Sequence, residues 1–166
     1  KEKNTSYLFS RINLDLDLEN YNTSKLFINL EKVTNDTFLK IFDTNLLENT
    51  TSLKPDDNNV LSSELKLILN NENYNFNTGI KSYENLQKSK SDRYQYILPY
   101  YNFNKTFLPN FTTGSINLSS SGSNDLNNTN QLKTRVTNNI SYSSLDFVSN
   151  SGFKNNYNIN LKNLNS

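Results

Sequence analysis

Apolar residues recur at every second position over run after run of this chain. Ile12, Leu14, Leu16 and Leu18 alternate with Asn13, Asp15, Asp17 and Glu19, and Leu65, Leu67 and Leu69 alternate with Glu64, Lys66 and Ile68. Successive side chains of an extended chain point to opposite faces, so this period is that of a strand with one apolar and one wet face. No segment carries a competing helical period. The fold class expected is all-β, made of antiparallel amphipathic strands.

About eight strands are expected, over residues 7–19, 25–34, 63–70, 74–83, 93–103, 111–120, 131–142 and 153–161. Residues 19–24, rich in Asn and Thr, make a turn, and residues 44–62 and 121–130 read as long polar loops. Asn70-Asn-Glu-Asn73 is a tight-turn sequence, because Asn tolerates positive φ. Tyr94, Tyr96, Leu98 and Tyr100 are expected on one face of the fifth strand. Pro99 inside that strand has no N–H for a ladder, so irregular pairing is expected there.

Strand length separates the possible architectures. Sandwich strands average about 5–6 residues, whereas strands that cross an outer membrane need about 9–11. The longest runs here extend over roughly ten or more residues, which points to part of a large transmembrane β-barrel. No apolar run reaches the ~20 residues of a membrane helix, so a spanning element would have to be a strand.

Composition excludes several function classes. Only 34% of residues are hydrophobic, a level at which some chains stay disordered, but aromatics make up 12% and the period-two pattern persists. A sheet apolar on one face alone accounts for both. The net charge of +1 and the scattered lysines argue against a nucleic-acid surface. The chain has no Cys and no His, which removes disulfides, thiolate metal sites and a histidine base. Its 33 Asn and absence of Ala follow AT-rich codon usage more simply than they follow function. Nine Asn-x-Ser/Thr sequons occur, and about seven would arise by chance at this composition, so they do not argue for glycosylation.

Candidate sites are few. Asp15, Asp17 and Glu19 share a strand face and form a carboxylate cluster, but without Asx-Gly or EF-type spacing they read as a wetted wall rather than a cation site. Asp56 and Asp57, beside Pro55, read as loop solubility. The four glycines are unclustered, so no phosphate loop is present. No catalytic residue, metal or cofactor is assigned, and the chain is not expected to be an enzyme. Tyr94, Tyr96, Tyr100, Tyr101 and Phe103 near Pro99, and Phe107 and Phe111 near Pro109, fit either cross-strand packing or an interfacial aromatic girdle.

Three pieces carry a family resemblance. Val33-Thr-Asn-Asp-Thr-Phe-Leu-Lys-Ile-Phe-Asp43, read as the end of a strand, resembles a segment S-D-D-T-F-L-R-D in the barrel of the lipopolysaccharide-assembly outer-membrane protein family LptD, also called the organic-solvent-tolerance family. Its marker residues here are Asn35, Asp36, Thr37, Phe38, Leu39, Phe42 and Asp43. Tyr96-Ile-Leu-Pro-Tyr-Tyr101 is similar to a second family stretch. Gly114-Ser-Ile-Asn-Leu-Ser-Ser, followed by Thr134-Arg-Val136 and Ser151-Gly-Phe153, is similar to a third. The order holds from about Leu8 to Leu161. Lys40 stands where the family has Arg.

The resemblance implies a piece of an outer-membrane barrel, residues 1–166, without the amino-terminal jellyroll and the closing strands. It implies transport without chemistry: lipopolysaccharide passes through the barrel into the outer leaflet. The implied partners are lipopolysaccharide, outer-membrane lipids, an LptE-like plug lipoprotein and an LptA-like periplasmic bridge. Asn35, Asp36 and Thr37 are expected to shape a strand end, and Phe38 and Phe42 to pack against neighbours. A porin, a receptor-type transporter or an Asn-rich adhesin would share the alternation. The adhesin would show a short fixed repeat, and none is seen.

Overall fold

The computed structural model describes residues 6–41, 57–89, 92–110, 113–128 and 130–165. Ten strands follow in chain order: β1 (Tyr7–Asp15), β2 (Thr23–Val33), β3 (Val60–Asn71), β4 (Tyr74–Asn85), β5 (Tyr94–Phe107), β6 (Gly114–Asn127), β7 (Gln131–Ser144), β8 (Phe147–Val148), β9 (Lys154–Asn155) and β10 (Asn158–Asn165). Eight of them build one sheet in the order β1-β2-β3-β4-β5-β6-β7-β10, and β8 with β9 makes a separate two-stranded ribbon. All pairings are antiparallel. The protein is therefore all-β, and its main sheet is open, with β1 and β10 as edges.

Register explains why the alternation is so regular. Ile12 faces Ile28, Ile28 faces Leu65, and Leu65 faces Ile80. Further along, Phe107 faces Ile116, Leu118 faces Ile140, and Ile140 faces Leu161. Directly opposed residues share a face, so one face collects most of the aliphatic side chains of the eight strands, while Phe27, Ile68, Tyr83 and Ile97 fall on the other. The band they form runs obliquely. A line perpendicular to the strands joins Arg11, Asn29, Glu64, Lys81, Ile97, Asp125 and Lys133. The apolar groups lie beside that line at Ile12 and Ile28 but well along the strands at Ile140 and Leu161. The drift is roughly one residue per strand; a ~3.3 Å step against a ~4.8 Å strand spacing gives an inclination of about 30–35°.

The irregularity expected at Pro99 is present and has a definite role. Lys81 pairs with Ile97 and Gly79 with Tyr100, so β5 carries one residue more than β4 between those points. The same extra residue appears against β6, between Ile97↔Asp125 and Tyr100↔Ser123. This bulge reverses the parity of β5: Tyr96 shares the apolar face before it, and Tyr101, Phe103 and Phe107 share that face after it. Tyr100, expected beside Tyr94 and Tyr96, consequently lies on the polar face.

Several boundaries differ from expectation. β1 ends at Asp15; Asp17 has a φ of 47°, and the Leu16 and Leu18 N–H groups bond to Ser24 O and Oγ, so these two leucines leave the ladder. Residues 60–62, expected in a loop, begin β3. Residues 121–127, expected in a polar loop, continue β6 because each is paired with β7 as far as Asn127↔Gln131. Tertiary pairing overrides the weak strand propensity of Ser and Asn. The β6–β7 turn is thereby compressed to residues 128–130, with Asn128 at a φ of 51°. The β3–β4 turn at Glu72 and Asn73 has no positive φ; the Asn73 N–H instead donates to Asn71 Oδ1 at 3.1 Å. The expected last strand splits into β9 and the longer β10.

The segment after β2 is not a strand end but a capped helical turn. Asn35 Oδ1 accepts from the Thr37 N–H at 3.0 Å and from Thr37 Oγ1 at 2.9 Å. The chain then coils through residues 38–41, with the Ile41 N–H donating to Thr37 O at 3.1 Å. The cap satisfies amides that a short helix leaves unpaired. This turn folds Phe38 and Leu39 onto Val33, Leu61 and Leu86, the buried apolar cluster among the described residues, with Phe9 packed against it. Phe42 and Asp43 lie outside the described residues.

Leu39 is 1% exposed, and removing a fully buried leucine side chain costs about 2–5 kcal/mol. Leu39→Ala is expected to lower the denaturant midpoint accordingly, measured by tyrosine fluorescence across a urea series.

Candidate functional site: a sheet with two unlike faces

The apolar face lacks a cover among the described residues. Ile12, Leu14, Leu30, Leu65, Ile80, Leu98, Ile140, Ile159 and Leu161 all stand exposed on it, Leu161 at 66%. Isolated exposed leucines are ordinary, but here exposed large apolar side chains stand on seven of the eight strands. A groove of about 510 Å³ crosses it beside the bulge, lined by Ile28, Leu30, Leu65, Ile80, Tyr96 and Leu98.

Aromatic rings border this face at both ends of the strands. At the end where β3 turns into β4, Tyr21 lies 6.3 Å from Tyr74, and Tyr74 packs edge-on against Phe103 at 5.2 Å. Phe107 and Tyr142 continue the row through their register with Ile116, and the Lys105 ammonium sits 4.8 Å above the Phe107 ring. At the opposite end Tyr94 and Tyr96 stack at 6.2 Å, with Lys32 Nζ 5.7 Å from the Tyr94 ring. The aromatics around Pro99 thus divide between the two ends, while Tyr100 serves the other face. Phe111 lies outside the described residues.

The opposite face is mainly polar, with Phe27, Ile68 and Tyr83 set among its charges. Across β1 to β4 it presents Arg11, Asp15, Lys25, Glu31, Glu64, Lys66 and Lys81. Lys81 Nζ pairs with Glu64 at 3.3 Å, and Lys25 with Asp15 at 3.3 Å. Toward the far ends of β4 to β7 it presents only amides and hydroxyls: Asn75 faces Asn104, Asn77 faces Asn102, Asn102 faces Ser121, and Ser119 faces Asn139. A shallow cavity of about 290 Å³ on this face is lined by Tyr100, Asn102, Ser121, Ser123, Arg135 and Thr137.

Glycines act as seats for tyrosine rings. The Tyr100 hydroxyl donates to Glu64 Oε1 two strands away, so its ring crosses β4 where Gly79 has no side chain. A Cβ on Gly79 would lie 2.8 Å from the Tyr100 hydroxyl and would also meet Leu65 O. Gly122 seats Tyr101 in the same way on the apolar face, and Gly114 seats the ring of Tyr142. An added methyl would meet the ring at each seat and, at Gly79 and Gly114, also a backbone oxygen, so the overpacking costs at least about 1–3 kcal/mol.

An ionic corner closes one end of the apolar face. Arg93 grips Asp36 with both terminal nitrogens, at 3.0 and 2.6 Å, and donates from Nε to Glu84 at 2.8 Å. Glu84 also receives Lys32 at 2.7 Å and the Tyr94 hydroxyl at 3.1 Å. The hydrogen bonds to Asp36 raise the Arg93 pKa above its ordinary value, with Glu84 adding to the effect. Two cations and two carboxylates compensate one another, so the corner is a tether between β2, β4, the helical turn and the strand β5, rather than a binding site.

The expected site residues are distributed as follows. Asn35 and Thr37 cap the helical turn, Asp36 meets Arg93, and Phe38 and Leu39 join the buried cluster, Phe38 stacking on Tyr7 at 5.0 Å. Asp15 pairs with Lys25, and Asp17 and Glu19 follow β1 outside the ladder. No group of three or more His, Cys, Asp or Glu suited to a metal occurs among the described residues. Asp57 accepts from the Asn59 N–H at 2.7 Å; Asp56 lies outside the described residues. The Arg93 corner and the glycine seats were not anticipated. Only the scarcity of Arg and Gly in the composition pointed toward them.

Fold and faces together define an amphipathic antiparallel meander with an apolar surface bordered by aromatic rings. No protein-family model, curated protein or solved structure matches the chain.

Two expectations follow from these joints. Gly79→Ala is expected to destabilise the protein while Tyr100→Leu in the same background recovers part of the loss, as read from the paired urea midpoints of a double-mutant cycle. Arg93→Lys loses the two-pronged grip on Asp36. Amide exchange at Ile41, measured by NMR, should then accelerate while that of Ile28 in β2 stays unchanged.

Proposed function

We propose that this chain forms part of the wall of a transmembrane β-barrel in an outer membrane, with its apolar face toward lipid and its polar face toward an aqueous lumen. The observation that carries the reading is the large exposed apolar face of the eight-stranded sheet, best developed on β1 to β5. Such a face costs on the order of 25 cal/mol per Å² when left in water, and a bilayer core removes that cost. Three further features support it. Strands β2 to β7 have 11 to 14 residues, enough to cross hydrocarbon at a tilt. A layer lying along the apolar band would see the strands tilted about 30–35° from its normal, close to the ~35–45° tilt of barrel strands. Aromatic rings border it at both ends, as at membrane interfaces.

Connections at the two ends do not sort into short and long sets. Residues 34–59 and 86–93 are at one end with the tight 128–130 turn, and residues 145–157 are at the other.

The cargo reading rests on the family resemblance of the residues around Val33, Tyr96 and Gly114. On that basis the barrel belongs to an outer-membrane translocon that delivers lipopolysaccharide to the outer leaflet, with a plug lipoprotein and a periplasmic bridge as partners. Amide and hydroxyl rows on the polar face suit sugars passing along it, and no chemistry is assigned.

The membrane reading is tested by single-cysteine scanning, which the Cys-free sequence allows. In vesicles, cysteines at positions 12, 65 and 140 should react with a lipid-soluble maleimide, and those at 77, 121 and 139 with a water-soluble one. Equal reaction of both sets with the water-soluble reagent would sink the proposal. For the cargo, depletion of the protein should reduce lipopolysaccharide at the cell surface. Unchanged surface levels together with solute permeation would favour a porin instead.

A further inference from the structure

The shallow cavity on the polar face is lined by one guanidinium and a set of hydroxyl and amide groups, with no carboxylate among them. Its walls follow from the register. Tyr100 of β5 faces Ser123 of β6, which faces Arg135 of β7, and one step along the strands Asn102 faces Ser121, which faces Thr137. Ser121 and Ser123 are short, so they form a floor between Tyr100 and Asn102 on one side and Arg135 and Thr137 on the other. The Tyr100 hydroxyl is drawn away toward Glu64 on β3, which keeps its ring off that floor. The resulting volume of about 290 Å³ sits at the small end of the ~300–1,000 Å³ range of ligand pockets.

The lining groups are unspent. On the opposite face of the same strands Ser120 donates to Asn138 and Thr134 donates to Asn124. Among the described residues the side chains of Asn102, Ser121, Ser123 and Thr137 have no such partner. Arg135 stands apart from Arg93 in the same way. Arg93 bonds two carboxylates at distances between 2.6 and 3.0 Å. The Asp125 carboxylate beside Arg135 is 3.9 Å from it, beyond hydrogen-bond reach, and the Arg135 side chain is 61% exposed. Lys133 stands opposite Asp125 in the adjoining row, so two cations and one carboxylate leave this end of β7 positive. A planar guanidinium presents paired N–H donors that match two oxygens of an oxyanion, and hydroxyl and amide donors complete the shell. A cationic ligand would find no carboxylate in the lining, and a neutral sugar would leave the guanidinium charge unanswered.

We propose that Arg135, Ser121, Ser123, Thr137 and Asn102 form a binding site for a phosphate monoester. The guanidinium takes two phosphate oxygens, and the hydroxyls and the Asn102 amide donate to the rest. The ester substituent extends over the next row of the same face, where Asn104 faces Ser119 and Ser119 faces Asn139, a surface of amides and a hydroxyl suited to the hydroxyls of a sugar. The polar face is open to water whether or not the apolar face meets a bilayer, so the site stands independently of the membrane reading.

The test uses the full chain in a polyoxyethylene detergent, which carries neither phosphate nor sugar. α-Glucosyl phosphate is titrated into isotope-labelled protein, and NMR follows the Arg135 Nε–H and the amides of Ser121, Ser123 and Thr137. Wild-type protein should show saturable shifts there with a dissociation constant on the order of 1 mM, and glucose should show none. Inorganic phosphate that binds as tightly assigns the site to the phosphate group alone, and weaker binding of it assigns the site to a sugar phosphate. Arg135→Gln, at an exposed side chain with no hydrogen bond to lose, should keep its circular dichroism and bind at least about tenfold more weakly. Arg135→Lys should lose less, because it keeps the charge without the fork. Asp125→Asn should tighten binding roughly twofold by removing the one nearby carboxylate. Lys66→Gln, a cation on the same face but out on β3 opposite Gly79, should leave the affinity unchanged. Losses of equal size for Lys66→Gln and Arg135→Gln would mean diffuse charge and overturn the site. Unsaturable shifts in the wild-type protein, or glucose binding as tightly as its phosphate, would overturn it too.

Discussion

Everything in this molecule depends on the fixed two-residue alternation of an extended backbone and on the ladder that holds neighbouring strands in register. Once Ile12, Ile28, Leu65 and Ile80 are aligned, each strand inherits its faces from the one before it. A slip of one residue at any joint would turn the rest of the sheet inside out. Among the described residues the register shifts beside Pro99, and the β2–β3 ladder stops at Asn29↔Glu64, where the Glu31 and Ser63 side chains take over the bonding. The extra residue near Pro99 lets β5 present Tyr96 and Tyr101 on the same face although their numbering has opposite parity.

Stability is distributed accordingly. The buried cluster around Leu39 and Leu61 occupies one end of the sheet, while the rest of the apolar surface has no partner within the described chain. A conventional two-layer domain would place a second sheet or a helix there. The structure instead spends its specific contacts on joints: tyrosines laid across glycines and one arginine gripping two carboxylates. These set position and register more than they add buried area.

Much of the strand layout was legible because period two survives single substitutions. Leu65, Leu67 and Leu69 against Glu64 and Lys66 could hardly be read otherwise. Residues 121–127 were misread because Ser, Asn and Gly resemble a loop locally, and only pairing with β5 and β7 makes them strand. The segment from Asn35 to Ile41 was misread for the opposite reason. Its Phe and Leu suggest a strand, while the side chain that decides the matter is the Asn35 carbonyl, a cap whose effect appears only once Thr37 folds beneath it. The link from Arg93 to Asp36 spans 57 positions, and no local pattern reports a contact of that kind. The reversal of Tyr100 needed the count of residues through a bulge, which Pro99 announces but does not locate.

The glycines bear on how this sequence can change. In a chain with no alanine and a strong drift toward AT-rich codons, four glycines persist. Three lie beneath tyrosine rings, and the fourth, Gly152, has a φ of 83°. Each therefore occupies a place where a side chain is sterically or conformationally refused. Mutational drift has a floor at such points, because at Gly79 and Gly114 a backbone oxygen would still refuse a side chain after the ring was lost. In a diverged relative the joint retention of Gly79 and Tyr100 would be a more telling sign of shared architecture than any conserved leucine, since leucines on the open face are interchangeable and these joints are not.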